Sequence, residues 1–250
     1  MRTFIIEVAH GGLGDHLFFS HLPRIAKTSG GFSKVFLSNR SMFRNPEYRK
    51  LIWELNPYVD GFCDDTPPPV LPVQWDTSMN ILDRVMLERG LDDGQRFHEP
   101  EIYYRPAVKA DLLPRRVYDP NYISNVGAMS TTRLRHAISR LGGVDCQMRI
   151  LNKAFGAQPG LSELAAKDIF DYCDIIASCA SFFCLTSGGA TLAAAINKPA
   201  ICFFGYGVNP IFHHSPLHQY VDVSVPLASV MPAFRRAVAA ALHAGRRRAS

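Results

Sequence analysis

The chain has 250 residues, 47% hydrophobic and 20% charged, with 27 Lys and Arg against 22 Asp and Glu for a net charge of +5. That apolar fraction excludes a disordered chain, 18 Gly and 17 Pro are too few for collagen-like or low-complexity sequence, and six Cys make no disulfide scaffold. The length admits one large domain or two small ones, since domains commonly run to about 100–150 residues.

Residues 4–9 (FIIEVA) are apolar and partly β-branched, which suits a buried parallel strand. They lead into His10-Gly-Gly-Leu-Gly-Asp-His16 and then into 17–27, where Leu17, Phe18, Leu22, Ile25 and Ala26 recur at helical spacing. Gly30-Gly31 ends that helix. A strand at 34–38, a helix at 46–55 and a short strand at 59–63 follow. Pro67, Pro68, Pro69 and Pro72 rule out regular structure, after which 80–89 reads as a helix and 101–104 as a strand. Residues 106–120, with Pro106, Pro114 and Pro120, read as a linker. Beyond it the rhythm restarts: strand 122–126, helix 131–141, strand 147–151, helix 162–172, strand 182–185, helix 189–196 and strand 199–204. The Ala-rich stretch 225–244 reads as a last helix, with Pro226 near its start and Gly245 just past its end. Alternating strands and helices imply parallel sheets with helices on both faces, and the linker divides the chain into two α/β units, 1–110 and 111–250.

The positive charge is uneven. Arg235, Arg236, Arg246, Arg247 and Arg248 crowd the C-terminal segment without an acid, and the remaining body is near neutral. That distribution argues against nucleic acid, which calls for a basic stripe on the folded body with aromatics to stack bases. The tail reads as a solvated terminus, with weak attraction to anionic lipid headgroups as the sharper alternative. Cys63, Cys146, Cys173, Cys179, Cys184 and Cys202 show neither CxxC nor zinc spacing, which suggests a reducing compartment. The N-terminus lacks a signal-peptide pattern, and the longest apolar run, 175–185, falls short of the roughly 20 residues of a membrane span. The expected location is cytoplasmic, with contact at the inner-membrane surface if the tail engages lipid.

Two loops carry candidate chemistry. Gly11, Gly12 and Gly14 let the backbone of the first strand–helix turn approach a ligand closely. A dinucleotide oxidoreductase, a further rival reading, calls for a third glycine where Leu17 stands and an acid where the second strand ends in Ser38-Asn39-Arg40, and both absences argue against it. Asp15 occupies the first helical turn instead. The helix dipole favours a carboxylate there, and a carboxylate is what a general base must be. The second loop, Thr186-Ser-Gly-Gly-Ala-Thr191, joins an apolar strand to a helix. Its hydroxyls and bare N–H groups describe a phosphate cradle, and equally an ordinary capped helix start.

Taken together, the Gly11–Asp15 turn and the segment 174–205 resemble the heptosyltransferase-like glycosyltransferases of family 9, a GT-B group. The second pattern is carried by Asp174, Ser187, Gly188, Leu192–Ala195, Lys198, Pro199, Phe204 and Gly205. The resemblance implies two Rossmann-like domains facing across a cleft. It also implies sugar transfer from a nucleotide-diphosphate donor to a glycan, glycolipid or protein hydroxyl. Such transfer inverts configuration without a metal or other cofactor, and belongs to lipopolysaccharide or other bacterial surface-glycan assembly. Asp15 then matches the general base, with Gly11, Gly12, Gly14 and His16 shaping the acceptor side. Thr186, Ser187, Gly188, Gly189 and Thr191 match the donor cradle, joined by Asn125, Arg133 and Glu163. Glu163 matches an acid that reads the nucleoside, or else completes a helix cap.

Three departures qualify the match. Thr186 stands where the family has Asp, Thr191 where it has His, and the loop 125–133 lacks the family's Lys, leaving Arg133 or Arg135 to supply charge. They motivate an alternative, a non-catalytic nucleotide- or glycan-binding protein on the same scaffold. The chain is also short for this family, and the poorly patterned stretch 63–104 is the expected place of the loss. His213, His214 and His218 follow Gly205-Tyr206-Gly207. Adjacent histidines on an irregular loop seldom converge on a metal, so that loop is expected to border the cleft and touch the donor.

Overall fold

The structure is a computed structural model describing residues 2–74, 78–209 and 215–226. Strands β1 (Thr3–Ile6), β2 (Lys34–Ser38) and β3 (Gly61–Cys63) form a parallel sheet in that order, with Phe4 opposite Val35 and Ile6 opposite Leu37. All four of those side chains are buried, so the register is fixed by the apolar face. The helix expected over 17–27 is two helices, α1 (Leu13–Leu17) and α2 (Leu22–Thr28). Pro23 has no N–H to offer the Phe19 carbonyl, which takes the Leu22 N–H at 3.1 Å instead, and the chain turns there. The helix expected at 46–55 is a π-helical turn, Arg49–Glu54, in which Leu55 donates to the Lys50 carbonyl at 3.2 Å. Its consecutive residues Leu51, Ile52 and Trp53 all reach the core.

Helix α3 (Ile81–Glu88) starts at Asn80, whose Oδ1 accepts the Asp83 N–H while Asp83 Oδ2 accepts that of Asn80, both at 3.0 Å. No strand forms at 101–104. That segment is spent on side chains: Glu101 N–H donates to Ser20 Oγ at 2.8 Å and Tyr104 Oη to Asp174 at 2.8 Å. Residues 104–109 then run along α5 (Ile169–Ser178). Ala107 N–H donates to Asp174 Oδ1 and Lys109 N–H to Ser178 Oγ, each at 2.8 Å, and Lys109 Nζ pairs with Asp171.

The second sheet comprises β4 (Arg116–Asp119), β6 (Cys146–Met148), β8 (Ser162–Leu164), β9 (Ser181–Leu185), β10 (Ala200–Phe204) and β11 (Gln219–Asp222). All neighbours are parallel, in the order β11-β10-β9-β4-β6-β8. Numbered within this unit, that is the 3-2-1-4-5-6 winding of doubly wound α/β folds, with its switch point between β4 and β9. A small antiparallel pair, β5 (Asn121–Tyr122) and β7 (Lys153–Ala154), stands beyond the ends of β4 and β6.

Several expectations are corrected here. The segment read as linker contains β4, since Val117, Tyr118 and Asp119 are core positions and Arg115-Arg116 only marks the strand's entrance. The strand placed at 122–126 shrinks to β5 and a loop. The helix placed at 162–172 splits, because Ser162–Leu164 pairs with β6 and helix α5 begins only where Asp168 Oδ1 caps the Asp171 N–H at 2.7 Å. Helix α4 (Thr131–Arg140) and helix α6 (Gly188–Ala195) stand where expected. The last helix, placed at 225–244, lies beyond the described residues except for Val225 and Pro226, which are irregular.

One apolar core runs from the first sheet through α2 to the α5–α6 face of the second, and another fills the opposite face beneath α4. Helix α6 is buried nearly all round. Its sequence, GGATLAAA, lets α1 pack against it from the first lobe. Among the described residues no helix is long and apolar enough to cross a membrane.

Candidate active site

The two glycine-bearing loops meet. A Cβ on Gly188 would lie 3.2 Å from the Gly14 nitrogen and 3.2 Å from Leu13 Cβ, and one on Gly14 would lie 3.9 Å from Thr191 Oγ1. The starts of α1 and α6 therefore abut across the seam between the lobes, at the carboxyl end of β9 beside the switch point. In open α/β sheets that is where ligands bind.

On the first-lobe side, Gly12 is the extended N-cap of α1 and has no side chain to cap with. Asp15 supplies the reciprocal half, its Oδ2 accepting the Gly12 N–H at 3.0 Å. A Cβ on Gly12 would sit 2.6 Å from that oxygen, so glycine is what lets the carboxylate fold back. The bond orients a half-buried carboxylate and leaves Oδ1 for a second partner. His16 is turned into the core. Trp53 Nε1 donates to its Nδ1 at 3.1 Å, which puts the ring proton on Nε2, donated to the Met42 carbonyl at 2.7 Å. Burial lowers its pKa, and the ring stacks on Phe43. His16 thus fixes the 42–44 loop to α1 rather than lining a crevice. Arg44, held by that loop, lies across Gly11 and Gly12: a Cβ on Gly11 would be 2.8 Å from its backbone nitrogen, and its side chain is exposed.

On the second-lobe side, Ser187 is the N-cap of α6 and makes no cap hydrogen bond. Ala190 and Thr191 donate to the Ser187 carbonyl at 3.0 and 3.3 Å, which leaves the N–H groups of Gly188 and Gly189 as the free positive pole. Thr186, 4% exposed at the end of β9, has a buried hydroxyl with no partner among the described residues. Thr191 is buried against α1, its Oγ1 3.4 Å from the Ser187 carbonyl it donates to. Beneath the loop lies Asp119, at the end of β4. Burial raises its carboxyl, while Tyr172 Oη donates to Oδ2 and Asn121 donates twice to Oδ1, at 2.7 and 2.9 Å. A Cβ on Gly189 would meet Tyr172 Oη at 2.5 Å and Asp119 Oδ2 at 3.0 Å.

The other candidates fall elsewhere. Asn125 Oδ1 accepts the Gly127 N–H at 2.9 Å in a loop that bridges to Tyr206, and Arg133 donates to the Ser224 carbonyl at 2.9 Å. Both stand on the β10–β11 rim. Glu163 is exposed on β8, opposite Gln147 at the sheet edge, three strand spacings of about 4.8 Å from β9. Its capping role is excluded, because it lies in a strand. Two motif residues are structural. Asp174 holds the segment 104–107, and Lys198 Nζ caps the carboxyl end of α5 by donating to the carbonyls of Ala177, at 3.3 Å, and Cys179. His218 is buried scaffold, taking the Ala200 N–H on Nδ1 and donating from Nε2 to the Ala190 carbonyl at 2.8 Å. His213 and His214 lie outside the described residues, as does the basic tail.

Residue-type spacing gave no hint of Arg44, Asp119 or Glu99. Glu99, from the first lobe, accepts Ser215 Oγ of the second at 2.7 Å, and burial pushes its carboxyl up to about 7. Its Oε2 has no partner among the described residues. A signal for Asp119 existed, an acid closing an apolar strand, but it was hidden inside the presumed linker. Among the described residues no group of three or more His, Cys, Asp or Glu side chains is placed to hold a metal ion.

Two parallel α/β units meeting at glycine-bearing helix starts define a GT-B-like architecture. No protein-family model matches the sequence, and no curated protein sequence matches it significantly. Solved structures do match the fold. A family 9 glycosyl transferase from Veillonella parvula has a TM-score of 0.57 and 10% identity over 94% of this chain and 89% of that one. The E. coli ADP-heptose LPS heptosyltransferase II has a TM-score of 0.58 and 13% identity over 88% and 90%. The iron-containing dodecameric heptosyltransferase TibC from E. coli, solved with ADP-D-β-D-heptose, has a TM-score of 0.58 and 12% identity. This chain covers 87% of itself and 61% of TibC in that match.

Proposed function

We propose that the protein transfers a sugar from a nucleotide-diphosphate donor to an acceptor hydroxyl. Residues 1–110 form the acceptor side and 111–250 the donor side. The observation that carries this reading is the abutment of the Asp15 turn and the α6 start at one seam. A base and an anion-stabilising pole are thereby brought side by side.

In this mechanism Asp15 takes the proton of the acceptor hydroxyl as its oxygen attacks the anomeric carbon. The bond from that carbon to the diphosphate breaks on the opposite face, which inverts configuration. Negative charge grows on the leaving diphosphate, where the Gly188 and Gly189 N–H groups and the Ser187 hydroxyl can receive it. This pole takes the part that a metal plays elsewhere, so the reaction is read as metal-independent. Arg44 adds a cation on the acceptor side of the same seam. The family resemblance supports reading the activity as part of bacterial surface-glycan or lipopolysaccharide assembly, at the cytoplasmic side.

The solved likenesses to ADP-heptose enzymes make ADP-sugars the first donors to screen by thermal shift. Asp15→Asn should then lower turnover by about 10²–10⁴-fold, the usual range for a lost general base, with donor binding kept. Full activity in that variant would sink the mechanism. A donor that binds without any turnover would favour the non-catalytic reading, which Thr186 and Thr191 motivate.

A further inference from the structure

Beyond the ends of β4 and β6, the β5–β7 pair carries an unusual surface. Ile123, Ile150 and Leu151 are 47%, 42% and 76% exposed. They flank the paired residues: Ile123 follows Tyr122 directly, and Ile150 and Leu151 precede Lys153, which pairs with Tyr122. The flap is held in shape by Asn121, whose Nδ2 donates to the Arg149 carbonyl at 3.0 Å and whose Oδ1 accepts the Leu151 N–H at 2.9 Å. Presenting aliphatic tips to water is therefore a built feature of the flap, not the result of a loose loop.

Charge on the flap has one sign. Between Asp145 and Glu163 the only charged side chains are Arg149 and Lys153, and between Asp119 and Arg133 there are none. Arg149 and Lys153 are both exposed and bracket the two aliphatic residues at the tip. Three aliphatic side chains are too small a patch for a stable protein interface, which takes about 800 Å² per partner. Aliphatic tips between two cations, with no acid on the flap segments themselves, instead match the boundary between acyl chains and anionic headgroups.

We propose that this flap is a lipid-surface contact that seats the protein on an anionic membrane. It stands at the carboxyl end of the second sheet, on the rim where the switch-point crevice opens, so a membrane lying on it would hold a lipid-borne hydroxyl near that crevice. The surface is distinct from the basic C-terminal segment, and the proposal holds whether or not the crevice transfers a sugar.

The test is sedimentation of the whole protein with phosphatidylcholine vesicles and with vesicles that also contain phosphatidylglycerol. Wild type should pellet with the anionic vesicles alone. Leu151→Asp, and separately the pair Arg149→Glu with Lys153→Glu, should cut the bound fraction about tenfold or more, given roughly fivefold per surface cation. Replacing Arg246, Arg247 and Arg248 by alanine should leave most of the binding. Unchanged melting and circular dichroism would show that the flap variants remain folded. Flap variants that bind like wild type, or binding abolished by the tail variant alone, would overturn the proposal. So would a wild type that ignores vesicles but self-associates in a way that Leu151→Asp disperses.

Discussion

Alanine at position 188 places a methyl 3.2 Å from the Gly14 nitrogen and 3.2 Å from Leu13 Cβ, across the seam between the lobes. Both neighbours are backbone or backbone-proximal atoms of α1, so neither can swing aside. Either α1 retreats by a few tenths of an ångström or the seam opens. Overpacking of this kind costs about 1–3 kcal/mol, against which alanine recovers up to about 1 kcal/mol of helix propensity over glycine. The net is a loss of about 0–3 kcal/mol, or roughly 0–12 °C in melting temperature at about 2–4 °C per kcal/mol for a chain of this size. Two neighbouring glycines calibrate the argument. Alanine at 14 meets its nearest atom at 3.5 Å, ordinary contact, and should be neutral or slightly stabilising. Alanine at 189 meets Tyr172 Oη at 2.5 Å and splits a buried pair with Asp119, so it should cost the most, about 2–4 kcal/mol. Melting of the three variants beside wild type should rank them 14, 188, 189 in rising cost. A Gly14→Ala loss as large as that of Gly189→Ala would mean that the two helix starts do not abut as described.

Two further predictions concern pH. His98 lies between Asp83, at 2.6 Å, and Asp93, at 3.2 Å; burial opposes its charge, but bonds to the two carboxylates outweigh that and raise its pKa. The stabilisation from His98 is therefore complete below its unfolded pKa near 6.5 and is lost as pH rises through the higher folded value. His98→Gln should cost about 1.5–3 kcal/mol near pH 6 in urea unfolding, with the gap closing towards pH 9. A constant gap would refute the charged pairing. His21, which packs on His98 and is kept neutral by burial with a pKa of about 3, charges only in the unfolded chain in that window; this lowers stability towards acid pH in wild type and variant alike and so cancels from the gap. Glu99 has the same sign of linkage for a different reason, since burial raises an acid to about 7. Wild type should lose stability relative to Glu99→Gln as pH rises from about 4.5 through 7, and the two should match near pH 4. Parallel curves would show that Glu99 is solvated.

The strands at 34–38, 182–185 and 199–204 were legible because both faces of each are covered, so their residues read as apolar runs with glycine or proline at the ends. The helix at 80–89 was legible from Asn80 and Asp83, which write a cap into the sequence. Where tertiary pairing overrode local preference, reading failed: 162–164 contains helix-tolerant residues but completes a sheet edge, and Arg115-Arg116 disguised the start of β4. The two loops of the candidate site were legible as strand–helix turns, since glycines and hydroxyls mark such turns, but an ordinary helix cap reads the same way. Arg44, Asp119 and Glu99 were not legible. Each meets at least one group far away in sequence, and only the fold brings Glu99 to Ser215, Asp119 to Tyr172 or Arg44 to Gly11.

Trp53 gives its indole N–H to His16, and His16 shares α1 with Gly14 and Asp15. An optical probe is thus already wired to the seam. Burial lowers the His16 pKa, which disfavours the imidazolium that would quench the indole. The sequence has one other tryptophan, Trp75, so a Trp75→Phe protein carries a single emitter. Any ligand that draws α1 towards or away from α6 should alter its emission, and lobe movement could then be timed by stopped-flow mixing without attaching a dye.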